Sequence, residues 1–242
     1  MLTRYFLEAL MQVGILVPFA LLLQNPKDRR SILRIGLFAG IFIAYQLVLV
    51  LPRLIPSLDF FGSNWNWEGK LFGIVFGILC YLLFRSLFAE QDLVKIKQAE
   101  GAFRAPLAAA IAIVVLATAV AYATGRSEFS AETLLFQLTM PGFDEELMFR
   151  AVLLGLLLVS LRERIPVIGN PAVLITAVLF GFMHALTLDK NLSVSFEPIY
   201  FVQTGIGGFV WAWIAMRTRS ILLPILSHNL ANFLAAAVTM VG

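Results

Sequence analysis

Residues 106–125, PLAAAIAIVVLATAVAYATG, run without a single Asp, Glu, Lys or Arg. About 20 apolar residues rising ~1.5 Å each match the ~30 Å hydrocarbon core of a bilayer, so the stretch reads as a membrane helix. Working outward from it, comparable runs cover 5–23, 35–52, 71–89, 142–161, 171–188, 198–216 and 221–241. Composition agrees: of 242 residues, 60% are hydrophobic and only 14% charged, about half the charged share of a soluble domain. An ordinary water-soluble protein and a disordered chain are both excluded. The expected fold class is all-α, a polytopic membrane helix bundle with about eight transmembrane helices.

Lys and Arg set the orientation. Lys27, Arg29, Arg30 and Arg34 follow the first span; Arg85, Lys95, Lys97 and Arg104 follow the third. Arg162 and Arg164 follow the fifth, and Arg217 and Arg219 the seventh. The alternate loops hold only Arg4, Arg53, Lys70, Arg126 and Lys190. The positive-inside rule therefore puts both termini outside the cytoplasm. Glu8 breaks the first apolar run and no small-x-small cleavage site follows, so that run is expected to stay as a span. Trp65, Trp67, Trp211 and Trp213 fall at expected span ends, where an aromatic belt belongs. Residues 129–140 are expected to be interfacial or re-entrant, and 91–101 to form a solvated surface helix. Gly205, Gly207 and Gly208 imply close helix packing. The basic residues sit in membrane loops and net charge is only +3, so nucleic acid is not an expected partner. A single cysteine, Cys80, forbids an internal disulfide and a four-cysteine metal site.

Ionisable groups inside a span cost several kcal/mol, about 2.5–3.5 even on the lenient insertion scale, and mark function by default. Here they fall in three places: Asp144-Glu145-Glu146-Leu147-Met148-Phe149-Arg150, Phe180-Gly181-Phe182-Met183-His184, and His228-Asn229-Leu230-Ala231-Asn232. Glu146 and Arg150 are i,i+4, acid first, which favours an ion pair. Glu145 points about 100° away and is left free to act as a base. Asp144 reads as a helix N-terminal carboxylate complementing the dipole. Both histidines of the chain lie in apolar spans. His228 and Asn232 share a helix face one turn apart, a pair of donors suited to a developing oxyanion. Phe180, one turn before His184, would buttress its imidazole, while Asn229 is rotated off the His228 face. No H-E-x-x-H or G-x-S-x-G motif occurs. A carboxylate, two imidazoles and an amide can activate water and stabilise a tetrahedral intermediate, so hydrolysis is expected without a cofactor. Zinc on Glu145, His184 and His228 is the geometric alternative.

In order, E-E-x-x-x-R, F-x-x-x-H and H-x-x-x-N on separate helices resemble the CAAX-protease and bacteriocin-processing (CPBP) family of intramembrane glutamic endopeptidases. The resemblance covers residues 129–242, which it marks as a catalytic core; residues 1–128 are N-terminal transmembrane helices of the same integral membrane domain. It implies a multi-pass protein, expected in a bacterial plasma membrane, that cuts a membrane-embedded or lipid-anchored peptide within or beside the bilayer. Glu145 with His184 would activate the water, His228 and Asn232 would form the oxyanion site, and Glu146, Arg150 and Phe180 would support them. A transporter using the same groups as a proton relay, or a non-catalytic immunity protein, are the other readings. Glu145 and His228 can meet only if the fifth span begins below the membrane surface or the eighth is tilted near Pro224.

Overall fold

The structure is a computed structural model and describes residues 1–99, 101, 103–167 and 169–241. In chain order the first helices are α1 (Leu2–Gly14), α2 (Val17–Leu22), α3 (Ser31–Leu49), the single turn α4 (Leu51–Leu54), α5 (Trp67–Phe84) and α6 (Arg104–Thr124), the last of which packs on α10 and α11. Then come α7 (Ala131–Glu146), a π-helical stretch (Leu147–Leu154), α8 (Gly155–Ser160) and α9 (Pro171–Ala185). A two-stranded hairpin, β1 (Leu186–Leu188) and β2 (Val194–Phe196), leads to α10 (Pro198–Thr218) and α11 (Leu222–Val241). Among the described residues six helices are long and apolar enough to cross a membrane: Leu2–Leu22, Ser31–Leu49, Trp67–Leu87, Arg104–Thr124, Pro198–Thr218 and Leu222–Val241. The all-α polytopic bundle is thus the observed fold class. Large apolar side chains such as Leu79, Leu83, Ile111 and Val115 point outward, a surface that only lipid tolerates.

The four Lys/Arg-rich loops gather at one end. Asn25 N–H donates to Ser160 O and Arg162 N–H to Leu23 O. Arg219 bonds Gln91 and the carbonyl of Glu90, and Ala99 N–H donates to Thr218 O. At the opposite end Arg4 meets Leu188 and Ser127 meets Thr239, so both termini lie away from the basic loops. That arrangement agrees with the charge-based orientation.

Three expectations about elements are corrected. Residues 129–140 are not a separate re-entrant segment: α7 starts at Ala131, capped by the Ser130 hydroxyl accepting from Thr133 N–H. It runs through the π-helical stretch and α8 as one rod over 131–160, about 45 Å long at ~1.5 Å per residue. Pro141 lies inside it, where a proline removes one hydrogen bond and crowds the preceding turn. The repair comes from α11: Asn229 Oδ1 accepts from Gly142 N–H at 2.8 Å, and its amide donates to Thr139 O at 3.4 Å. Residues 92–99 of the 91–101 connector form no helix; Leu93 is buried, its carbonyl accepts from Ile221 N–H, and Lys95 O accepts from Ser220 Oγ. Glu100 of that connector lies outside the described residues. The sixth span ends at Ala185 rather than 188, because Leu186–Leu188 are extended and pair with β2.

Gly69, Gly73 and Gly77 recur once per turn on the buried face of α5: Gly69 lies against the Leu49 carbonyl of α3, Gly73 against α7 and Gly77 against the π-helical stretch. A Cβ at Gly73 would collide with the Asp144 carboxylate, and one at Gly77 would sit 3.1 Å from Leu147. Small residues at such a seam let backbones approach where no water-driven force pulls helices together.

Candidate active site

Glu145 now lies midway along a continuous helix, about 21 Å from Ala131, rather than at the outer end of a span. One of the two conditions for Glu145 to meet His228 is a fifth span that begins below the membrane surface, and the helix ahead of Gly142 puts that residue inside the rod rather than at its end. Its Oε2 is 3.9 Å from His184 Nε2 on α9 and 3.9 Å from His228 Nε2 on α11. Both are too long for a direct hydrogen bond. Separations of that length leave room for a water to bridge the carboxylate and each imidazole. Side-chain exposure falls from 22% at His184 to 7% at Glu145 and 5% at His228, so the triad opens on the His184 side.

Each imidazole is oriented through its other nitrogen. His184 Nδ1 is 2.8 Å from Phe180 O, and a carbonyl only accepts, so Nδ1 carries the proton and Nε2 faces Glu145. His228 Nδ1 is 2.9 Å from Glu146 Oε1, and a carboxylate there assigns the proton in the same way. Phe180 contacts both rings, with centroids 4.5 Å from His184 and 6.0 Å from His228. Glu146 in turn meets Arg150, Nε to Oε2 at 3.0 Å, both side chains fully buried. The Arg150 guanidinium lies over Phe180, 5.1 Å from the ring centroid. Asn232 is half-buried, and its amide makes no hydrogen bond among the described residues.

Two roles read from the chain are corrected. Asp144 does not cap a helix N-terminus: it is fully buried in mid-helix, accepting from Tyr45 OH at 2.6 Å and Lys70 Nζ at 2.9 Å. Glu145 is not left without a charge partner, because Lys70 Nζ also donates to its Oε1 at 2.6 Å. The two Glu145 oxygens are thereby divided, one to the ammonium and one to the histidines. By its place in the sequence Lys70 is a loop charge, and nothing in spacing along the chain links it to α7. The glycine stripe beside it was the available signal. Trp211 is also misplaced by the belt reading: it is buried and stacks on His228 at 3.8 Å and 15°. Asn229 faces α7, as its rotation off the His228 face implied, and stitches the Pro141 break.

Among the described residues no group of three or more His, Cys, Asp and Glu is arranged to hold a metal ion. The arrangement presents a carboxylate that faces two imidazoles, with a fixed ammonium behind it. Residues 127–234 match the family model described as type II CAAX prenyl endopeptidase, Rce1-like, a segment that contains Glu145, His184, His228 and Asn232. No curated protein and no solved structure matches the chain. The family match supports membership of the CPBP family and a peptidase of the CAAX type; with the apolar helices it supports an integral, multi-pass membrane protein.

Proposed function

We propose that this CPBP-family chain is an intramembrane endopeptidase that hydrolyses a peptide bond in a membrane-embedded or lipid-anchored substrate. The observation that carries the reading is the pair of 3.9 Å separations from one Glu145 oxygen to two imidazole nitrogens, brought from three helices. With both histidines protonated on Nδ1, a bridging water faces three acceptors but has only two protons. One corner must therefore donate. His228 faces Glu146 at one nitrogen and Glu145 at the other, so it is the ring placed to carry a second proton.

The step then follows. Glu145, assisted by His184, takes a proton from the water as its oxygen attacks the scissile carbonyl. The carbonyl oxygen gains the negative charge and is met by His228 Nε2–H, with the unpaired amide of Asn232 one helical turn away. As the C–N bond breaks, the proton held by Glu145 passes to the leaving amine, and no covalent acyl-enzyme forms. Glu146, Arg150 and Phe180 keep the rings in place. No metal is invoked: the Lys70 ammonium already supplies the positive charge at Glu145 Oε1.

Purified protein in lipid nanodiscs, given a farnesylated peptide ending in a CAAX sequence, tests the reading. Cleavage by wild type, lost in both Glu145→Gln and His184→Ala with the fold retained, is the expected result. Full turnover in both variants rejects the mechanism.

A further inference from the structure

The hairpin after His184 has two edges, and they are treated differently. Partners are Leu186 with Phe196, Thr187 with Ser195 and Leu188 with Val194. Glu197 N–H donates to Ala185 O and Asp189 N–H to Ser193 O. In an antiparallel ladder the bonded pairs alternate, so Thr187 and Ser195 exchange the intervening bonds. The backbone groups of Leu186 and Leu188 point away from β2. Leu186 N–H closes the end of α9 by donating to Phe182 O. The other three are met from α1: Gln12 donates to Leu186 O at 2.7 Å, Leu188 N–H donates to Glu8 at 2.7 Å, and Arg4 donates to Leu188 O at 3.4 Å. The outer edge of β1 is thus closed by α9 and by side chains of α1.

The outer edge of β2 is open. Val194 and Phe196 point their N–H and C=O groups away from β1, and those groups have no partner among the described residues. Residues 191–200 are exposed throughout, with Val194 at 61%. The position matters. α9 has 15 residues, about 22 Å, so a helix entering from the basic-loop side ends short of the far face of a ~30 Å core. Open sheet edges are not tolerated against lipid; at such depth they line a watery cavity or take a strand. The edge also begins beside the entrance of the triad: Tyr200 lies 6.0 Å from His184, ring to ring, and His184 is the most exposed of the three groups.

We propose that β2 is the docking strand for the substrate, whose peptide flanking the scissile bond adds to Val194–Phe196 as a third antiparallel or parallel strand. The inference rests on the protease reading above and extends it to how the substrate is held. Main-chain bonds to Val194 and Phe196 supply affinity with little sequence preference, as in other cases of strand addition. Alternate apolar side chains of the peptide continue the face begun by Leu186, Leu188, Val194 and Phe196. Extension of the peptide also strips it of helical hydrogen bonds, which exposes the scissile carbonyl to the triad.

Val194→Pro is the decisive variant. It removes an outward N–H and blocks the edge, while leaving the Thr187–Ser195 bonds of the hairpin intact; Val194→Thr keeps the edge. With the farnesylated CAAX peptide, Val194→Pro should raise KM about tenfold, the equivalent of ~1.4 kcal/mol, with kcat within about threefold. Val194→Thr, which keeps the N–H, should raise KM much less than Val194→Pro does. In Glu145→Gln protein, the same peptide should slow hydrogen exchange at the Val194 and Phe196 amides. Backbone N-methylation of the peptide should weaken binding at every second residue. If wild type cleaves while Val194→Pro leaves KM unchanged and neither amide is protected, strand docking is overturned and the protease reading stands. If wild type leaves the peptide intact, or Glu145→Gln still cuts it, both are overturned.

Discussion

Lys70 Nζ lies 2.6 Å from Glu145 Oε1, so a residue at the start of α5 fixes the carboxylate at the centre of the site. The same nitrogen holds Asp144, which Tyr45 also reaches from α3. Residues from the first half of the chain thus set the charge and the rotamer of the proposed base.

Lys70→Met strands two buried carboxylates. Removing one partner of a buried ion pair costs about 3–5 kcal/mol, so thermal unfolding in detergent should show a large loss of stability. Adding Asp144→Asn, which keeps an acceptor for Tyr45, should restore much of that loss. Peptide cleavage should stay reduced at least about tenfold in the double variant, because Glu145 Oε1 remains without its ammonium.

Glu146→Gln retains a hydrogen-bond acceptor for His228 but loses the charge that favours a doubly protonated ring. Turnover should fall by about 10²-fold, within the range for a weakened oxyanion donor, with KM little changed. Arg150→Lys should cost stability in spite of conserving charge, since an ammonium cannot both reach Glu146 and lie flat over Phe180.

Gly142→Ala places a Cβ 2.6 Å from Asn229 Oδ1 and 2.9 Å from the Ile225 carbonyl. The backbone oxygen cannot yield, so α7 and α11 must separate. A stability loss of about 1–3 kcal/mol is expected, as for overpacking, measured by thermal or denaturant unfolding.

Trp211→Leu removes the face on which His228 rests, whereas Trp211→Phe keeps an aromatic ring there. Turnover should drop several-fold in the leucine variant and remain near wild type with phenylalanine. Equal loss in both would mean that volume, rather than stacking, is what Trp211 contributes.

The membrane class, the gathering of the basic loops at one end and the meeting of Glu145, His184 and His228 were legible because each leaves a local mark: an uncharged run, a basic loop, an ionisable group where none belongs. Contacts between distant parts of the chain leave no such mark. Lys70 and Tyr45 act across 75 and 99 residues of chain, and each looks ordinary in its own span. Pro141 read as a boundary because the group that satisfies the break, Asn229, comes from another helix. Leu186–Leu188 read as helix because a Leu-Thr-Leu triplet is too short to show a period; their extended form depends on pairing with β2 and on the side chains of α1.

Single-turnover cleavage of the farnesylated CAAX peptide by Glu145→Gln, with peptide affinity measured on the same sample, addresses the convergence of three helices on one water most directly. The expected outcome is a rate reduced about 10³-fold or more while affinity changes less than about threefold, because the amide keeps the shape and loses only the base. A variant that retains more than about a tenth of the wild-type rate would contradict it.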